Sequence, residues 1–139
     1  MKIFLDANIL VSVLNKEYPL FTYSSRVLSL ASNPSFQVYT SPICLAIAFY
    51  FSEKKSGTAM AKTKIEMLVK NIEITTADKS TVLKAIQNKS VNDFEDGLEY
   101  YSAEAVKCKC IITEDKNDFH FSKLEVLSSH DFLKKYVMK

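Results

Sequence analysis

Short apolar runs rich in β-forming residues alternate along this chain with longer stretches whose apolar positions recur at helical spacing. Lys2 to Leu5 is such a run, and it predicts a buried strand that ends at Asp6. Ile9, Leu10, Val11, Val13 and Leu14 then start a helix, which Tyr18-Pro19 must interrupt because the residue before a proline avoids the α region. A second helix, with Phe21, Val27, Leu28 and Leu30 as apolar positions, stops before Asn33-Pro34. Phe36 to Thr40 is the second strand candidate. Ser41 and Pro42 then supply an N-cap and a proline at the first helical position, so a helix runs from about Pro42 into Glu53-Lys54-Lys55. That helix is apolar almost all round from Ile43 to Phe51, which predicts burial by neighbours or by a second subunit. Gly57 closes it, and Thr58 opens an amphipathic helix through Lys70.

Ile72-Glu73-Ile74 reads as a short strand, and Asp78 leads into a helix around Val82, Leu83 and Ile86 that ends at Asn88. Asn92 or Asp93 caps the next helix, whose first turn carries Glu95 and Asp96, where the positive end of the helix dipole favours carboxylates. Cys110 to Thr113 is a buried strand ending in Glu114-Asp115. Val126-Leu127 makes a last edge strand, and Ser128 or Ser129 caps a helix from Asp131 to Val137. Strands alternating with helices imply crossover connections, a mainly parallel sheet and helices on both faces: a three-layer α/β/α sandwich. Ligands bind such sheets at the carboxyl ends of the strands. Asp6 and Asp115 both close strands, and Asp96 lies one turn into a helix, so all three can face one edge.

Composition narrows the class. The 139 residues predict one domain spanning 1–139, and 47% hydrophobic with 24% charged residues is ordinary for a folded protein. A net charge of +2 is too balanced to announce a nucleic-acid binder, and Arg26 is the only arginine, so phosphate contacts would rely on lysine point charges. Cys44, Cys108 and Cys110 lack zinc-type spacing and read as reduced core thiols. Asp6 falls inside what would be a signal peptide's apolar region, and no window is apolar enough to span a bilayer, so the expected place is the cytoplasm with no membrane partner. Two glycines, Gly57 and Gly97, are too few for a phosphate-binding loop or a serine-hydrolase elbow.

The aspartates carry the candidate chemistry. Taken singly, each is explained by turn or cap preference. Three converging in one cleft would repel one another and raise their own pKa values unless a cation compensated. Mg²⁺ or Mn²⁺ is the expected answer, because such an ion takes hard oxygen ligands and keeps waters, and it activates water against a phosphodiester.

The combination resembles the PIN-domain family. Asp6-Ala-Asn8-Ile-Leu looks like the family's opening Asp-x-Asn-hydrophobic-Leu after the first strand; Asp96-Gly-Leu-Glu-Tyr-Tyr-Ser-Ala looks like its Asp-Ala-Leu-x-x-x-x-Ala helix; Ile111-Ile-Thr-Glu-Asp115-Lys-Asn-Asp118-Phe119 looks like its strand, Thr-x-Asp and downstream Asp-Phe. The resemblance implies catalytic, metal-holding roles for Asp6, Asp96 and Asp115, with Asn8 or Thr113 orienting ligands or phosphate and Asp118, Asp93 and Glu99 as further metal-site candidates. It also implies a Mg²⁺- or Mn²⁺-dependent ribonuclease of the VapC toxin type, an RNA substrate, an antitoxin partner and a homodimer.

One departure stands out. The family places a glutamate on the helix after the second strand, and here the corresponding positions are Ala46, Ile47 and Ala48. Glu99 shares a helix face with Asp96 at i+3 and could substitute, as could Glu95 or, from farther off, Glu53. A rival reading therefore keeps the fold as an RNA- or protein-binding module without efficient catalysis. A phosphotransfer domain is a third reading, weakened because Asn8 stands where a dehalogenase-like fold needs a second Asp. Phe49, Tyr50, Phe51, Tyr100 and Tyr101 are expected in the core or a dimer interface, His120 and His130 at the surface or as caps, and Lys54, Lys55, Lys62 and Lys64 on a solvated or phosphate-facing helix side.

Overall fold

Ile3, Phe4 and Leu5 are fully buried because their strand is the middle one of five. The computed structural model describes residues 1–138. In chain order the elements are β1 (Lys2–Leu5), α1 (Ala7–Leu14), α2 (Leu20–Ser29), a 3₁₀ turn (Leu30–Ser32), β2 (Gln37–Thr40), α3 (Pro42–Ser56), α4 (Thr58–Leu68) and β3 (Glu73–Ile74). They continue with α5 (Lys79–Gln87), α6 (Phe94–Ala105), β4 (Cys110–Ile112), a second 3₁₀ turn (Lys116–Phe119), β5 (Glu125–Leu127) and α7 (Ser129–Tyr136). The sheet order is β3-β2-β1-β4-β5 with every pair parallel, and helices flank it in the expected α/β/α arrangement. A parallel strand covered on both faces has to be a continuous apolar run, which is what Ile3-Phe4-Leu5 and Cys110-Ile111-Ile112 are. Each fully buried Phe, Ile or Leu contributes about 1.5–3 kcal/mol, so these two strands anchor the core.

The chain turns back on itself beside β1. From β1 it steps to β2 and β3 on one side, then crosses to β4 and β5 on the other, so the carboxyl ends of β1 and β4 meet where the direction of winding reverses. Phe4 pairs with Ile111 and Leu5 with Ile112, and Asp6 N–H continues the ladder to Ile112 O at 3.0 Å. Whatever follows β1 and β4 is therefore side by side.

Caps set the helix starts. Ser41 Oγ accepts from Cys44 N at 3.1 Å ahead of Pro42, and Asp78 Oδ1 accepts from Thr81 N at 3.0 Å. Gly57 joins α3 to α4 at φ +85°, a conformation that disfavours side chains. Gly97 meets a different demand: a Cβ there would lie 2.9 Å from Val91 Cγ1 and 3.0 Å from Ala85 Cβ, so glycine lets α6 press against α5. Ser128, rather than Ser129, caps α7, which starts two residues earlier than the apolar pattern suggested because its cap bonds Asp131 N within the first turn.

Two surface expectations change. Lys55 Nζ bonds Asn15 O, and Lys64 Nζ bonds Leu14 O at 3.0 Å and Ser56 Oγ at 3.1 Å, so half of the basic stretch satisfies carbonyls at the end of α1. α3 is not buried all round. It buries Cys44, Ala48 and Ser52, while Tyr50 and Phe51 remain 53% and 44% exposed. His130 lies against Tyr23 with ring centroids 4.3 Å apart, and His120 Nε2 is 3.4 Å from Asn92 Nδ2; neither lines the cleft described next.

Candidate metal centre

Asp6 leaves β1 and caps α1, its Oδ1 accepting from Ala7 N at 2.7 Å. Its Oδ2 accepts from Thr113 Oγ1 at 2.8 Å, and Asn8 Nδ2 lies 3.4 Å from the same oxygen. Thr113 follows β4 and is the hub of the joint: its hydroxyl also accepts from Asn8 Nδ2 and from Asp115 N, each at 3.0 Å. Asn8 Oδ1 closes the ring by accepting from Glu114 N at 3.2 Å. The two strand ends are thus stitched together, and Asp6 and Asp115 are held in fixed relation before any ligand binds.

The third contribution comes from α6. Asp93 Oδ1 accepts from Glu95 N at 2.9 Å and starts the helix, which puts Asp96 in the first turn and Glu99 one turn on. A cleft of about 370 Å³ is lined by Asp6, Glu17, Asp93, Glu95, Asp96, Glu99, Asp115 and Asp118, together with Ala7, Asn8, Val11, Leu20, Ile47 and Phe51. Asp6, Asp93, Asp96, Glu99, Asp115 and Asp118, the six metal-site candidates of the sequence, therefore share one cavity, and Glu95 joins them. Glu17 was not foreseen; it precedes the Tyr18-Pro19 turn that folds α2 back over α1, and nothing in the local pattern marks it. Glu53 bonds Thr58 Oγ1 instead and does not line the cleft.

Crowding shows in the electrostatics. Partial burial, then the carboxylates of Asp93, Asp118, Asp6 and Glu95, push Asp96 from 3.8 up to about 7. Asp118 is raised too, by burial first and then by Asp115, Asp6 and Asp93. Deepest in the cleft, Glu99 is only 2% exposed and accepts from the Cys44 thiol at 3.0 Å. Burial, then the contact with Asp6, drive its carboxyl well above the usual range, and burial likewise raises the Cys44 thiol. The ligand atoms of Asp6, Cys44 and Glu99 lie within 4.8 Å of one another. Cys44, Cys108 and Cys110 are all buried free thiols, as the sequence predicts, with Cys108 and Cys110 pushed up to about 12 by burial; only the place of Cys44 beside the acidic site has no signature in the sequence.

The donor set fits a hard divalent cation. Asp6, Asp96, Asp115 and Asp118 all line the cleft, and the crowding of carboxylates that raises Asp96 and Asp118 is what a doubly charged ion relieves.

Residues 2–117 match the family model described as PIN domain. The chain belongs to the PIN-domain family. This PIN domain is 28% identical over 139 residues to Ribonuclease VapC1 of Aquifex aeolicus (strain VF5), covering 97% of this chain and 95% of that protein. Among solved structures, VapBC2 of Rickettsia felis, bound to a DNA fragment from their promoter, aligns with TM-score 0.69 at 21% identity over 92% of this chain and 98% of that one. VapBC-1 of nontypeable Haemophilus influenzae aligns with TM-score 0.68 at 16% identity over 94% and 99%. These likenesses are of fold.

Three positions on α3 are where the resemblance implies a glutamate. Of Ala46, Ile47 and Ala48, it is Ile47 whose side chain reaches the cleft, with Phe51 one turn later, while Ala48 is buried and Ala46 is exposed. The lining is thus of two kinds: carboxylates from the ends of β1 and β4, from α6 and from Glu17, and an apolar set of Val11, Leu20, Ile47 and Phe51 from α1, α2 and α3. No Lys or Arg lines the cavity among the described residues. Nor is any described helix long and apolar enough to cross a membrane.

Proposed function

We propose that this PIN domain is a Mg²⁺- or Mn²⁺-dependent endoribonuclease, the toxin of a toxin–antitoxin pair. The observation that carries the reading is the convergence of Asp6, Asp96, Asp115 and Asp118 on one cleft, with Asp96 raised to about 7 by its neighbours. The family, and the ribonuclease relative, favour the same chemistry. Asp6, Asp96 and Asp115 are the carboxylates that hold the ion, with Asp118 and Asp93 adding to the field that attracts it. A bound ion would neutralise charge on the scissile phosphate and acidify a water. Thr113 and Asn8 are positioning residues: their hydrogen bonds fix the Asp6 carboxylate and the backbone at Asp115. Glu99 stands next to Asp6 from the opposite side and takes over part of the role of the glutamate absent from α3.

RNA is the substrate, an antitoxin protein the regulator, and a homodimer the working assembly; the outward Val82, Leu83 and Ile86 of α5 offer a surface for the last. The test is cleavage of RNA at millimolar Mg²⁺ or Mn²⁺, with Asp6→Asn and Asp96→Asn as controls. Activity that requires the metal and vanishes in both variants supports the reading, whereas metal-independent cleavage or unimpaired variants would sink it. A second reading, a binding module, is favoured by Ile47 alone; RNA binding without turnover at saturating metal would establish it.

A further inference from the structure

The apolar wall has a purpose that the carboxylates alone cannot explain. Nucleic-acid affinity ordinarily comes from cationic side chains that neutralise phosphates, and here no Lys or Arg lines the cleft among the described residues. Lys116 is the nearest cationic side chain the adjoining groove offers, beside Asp115 and Asp118, so inside the cleft the contacts open to a nucleotide, apart from a bound cation, are uncharged. The uncharged surface in the cavity is the shelf of Val11, Leu20, Ile47 and Phe51. Phe51 is 44% exposed, its backbone carbonyl accepts from Asn15 Nδ2 at 3.4 Å, and its ring rests edge-on against Tyr50 at 5.2 Å and 82°. The backbone at Phe51 is tied to α1, and the ring keeps part of its surface open.

We infer that this shelf seats the nucleobase next to the scissile phosphate, with Phe51 as the stacking residue and Ile47 as its floor. The inference rests on the ribonuclease reading and adds to it a source of substrate selection. A nucleotide is itself two-sided, a phosphate joined to a flat apolar base, and the cleft brings carboxylates and apolar side chains to one cavity. Single-stranded RNA is bound through splayed bases stacked on aromatic side chains, which suits a site poor in cations. The isoleucine that replaces a carboxylate on α3 is on this view part of the specificity apparatus.

The experiment compares, in Mn²⁺, an RNA oligonucleotide that the wild type cuts with versions carrying an abasic sugar on either side of the cut. The expected result is a loss of about tenfold in kcat/KM for one abasic substrate with the wild type. Phe51→Ala should cut the intact RNA about tenfold less efficiently and no longer distinguish it from the abasic one, while Phe51→Tyr restores the discrimination. If Phe51→Ala still discriminates, or if the wild type cuts all substrates equally, the shelf proposal falls and the ribonuclease reading stands. If Phe51→Ala cuts RNA normally but loses a partner protein, the shelf is a protein contact and the proposal also falls. A wild type that cuts none of these RNAs overturns both.

Discussion

Asp96→Asn should make the metal-free protein more stable while removing its response to metal. The folded protein holds the Asp96 proton up to about pH 7, against 3.8 for the ordinary group. A folded pKa raised above the unfolded one means that the stability present below 3.8 is lost as pH rises toward 7, and the loss is complete above it. A difference of about three in pKa corresponds to roughly 4 kcal/mol. The carboxylate faces an open cleft, so solvent screening reduces the figure to about 1–2 kcal/mol. With about 2.1 cal/mol/K of unfolding entropy per residue and 139 residues, the neutral amide should raise Tm by about 3–7 °C at pH 8 in EDTA. At pH 5.5, about midway between the two pKa values, the gain should fall to about half. Scanning calorimetry of wild type and variant at both pH values, with EDTA and then with Mn²⁺, measures all of this. Metal at about a hundred times its Kd should stabilise the wild type by about 2.7 kcal/mol, and the variant by clearly less. An unchanged or lower Tm for the variant at pH 8, or the same gain at both pH values, would refute the reasoning.

Other substitutions probe the supports. Glu99→Gln keeps a group able to accept from Cys44 and donate to Asp6 and should cost less than about 1 kcal/mol, whereas Glu99→Ala leaves a cavity and orphaned partners and should cost about 2–4 kcal/mol by urea unfolding. Equal losses would contradict a protonated Glu99. Thr113→Val removes the hub hydroxyl and should weaken metal affinity about 10–100-fold by isothermal titration, with the fold retained by circular dichroism. Gly97→Ala forces a methyl against Val91 and Ala85 and should lower stability by about 1–3 kcal/mol. Native thiol titration at pH 8 should find Cys44, Cys108 and Cys110 unreactive until denaturant is added, because all three are buried with raised pKa values.

Strand and helix order was readable because each element carries its own punctuation: Ser41-Pro42, Gly57, Asp78 and Asp93 mark boundaries through local chemistry that needs no tertiary partner. The convergence of Asp6, Asp96 and Asp115 was readable too, since a parallel sheet puts strand ends on one side and two of the three close strands. What could not be read depends on which face of a helix turns inward. Glu17, Leu20 and Phe51 reach the cleft only because α2 folds back over α1 and α3 exposes one face. Lys55 and Lys64 looked like solvated charge until the carbonyls of α1 came within their reach. Cys44 and Glu99, far apart along the chain, meet only when α3 crosses α6.

The reversal of winding beside β1 carries a consequence for the order of events during synthesis. Asp6 is made among the first residues, yet its partners Thr113 and Asp115 belong to the other half of the sheet and emerge in the last third of the chain. A growing polypeptide that has completed β1, β2 and β3 holds Asp6 and Glu17 of the cleft but none of the carboxylates that α6 and the segment after β4 bring to it. A metal site that needs carboxylates from both halves of the sheet is therefore complete only when translation is nearly finished.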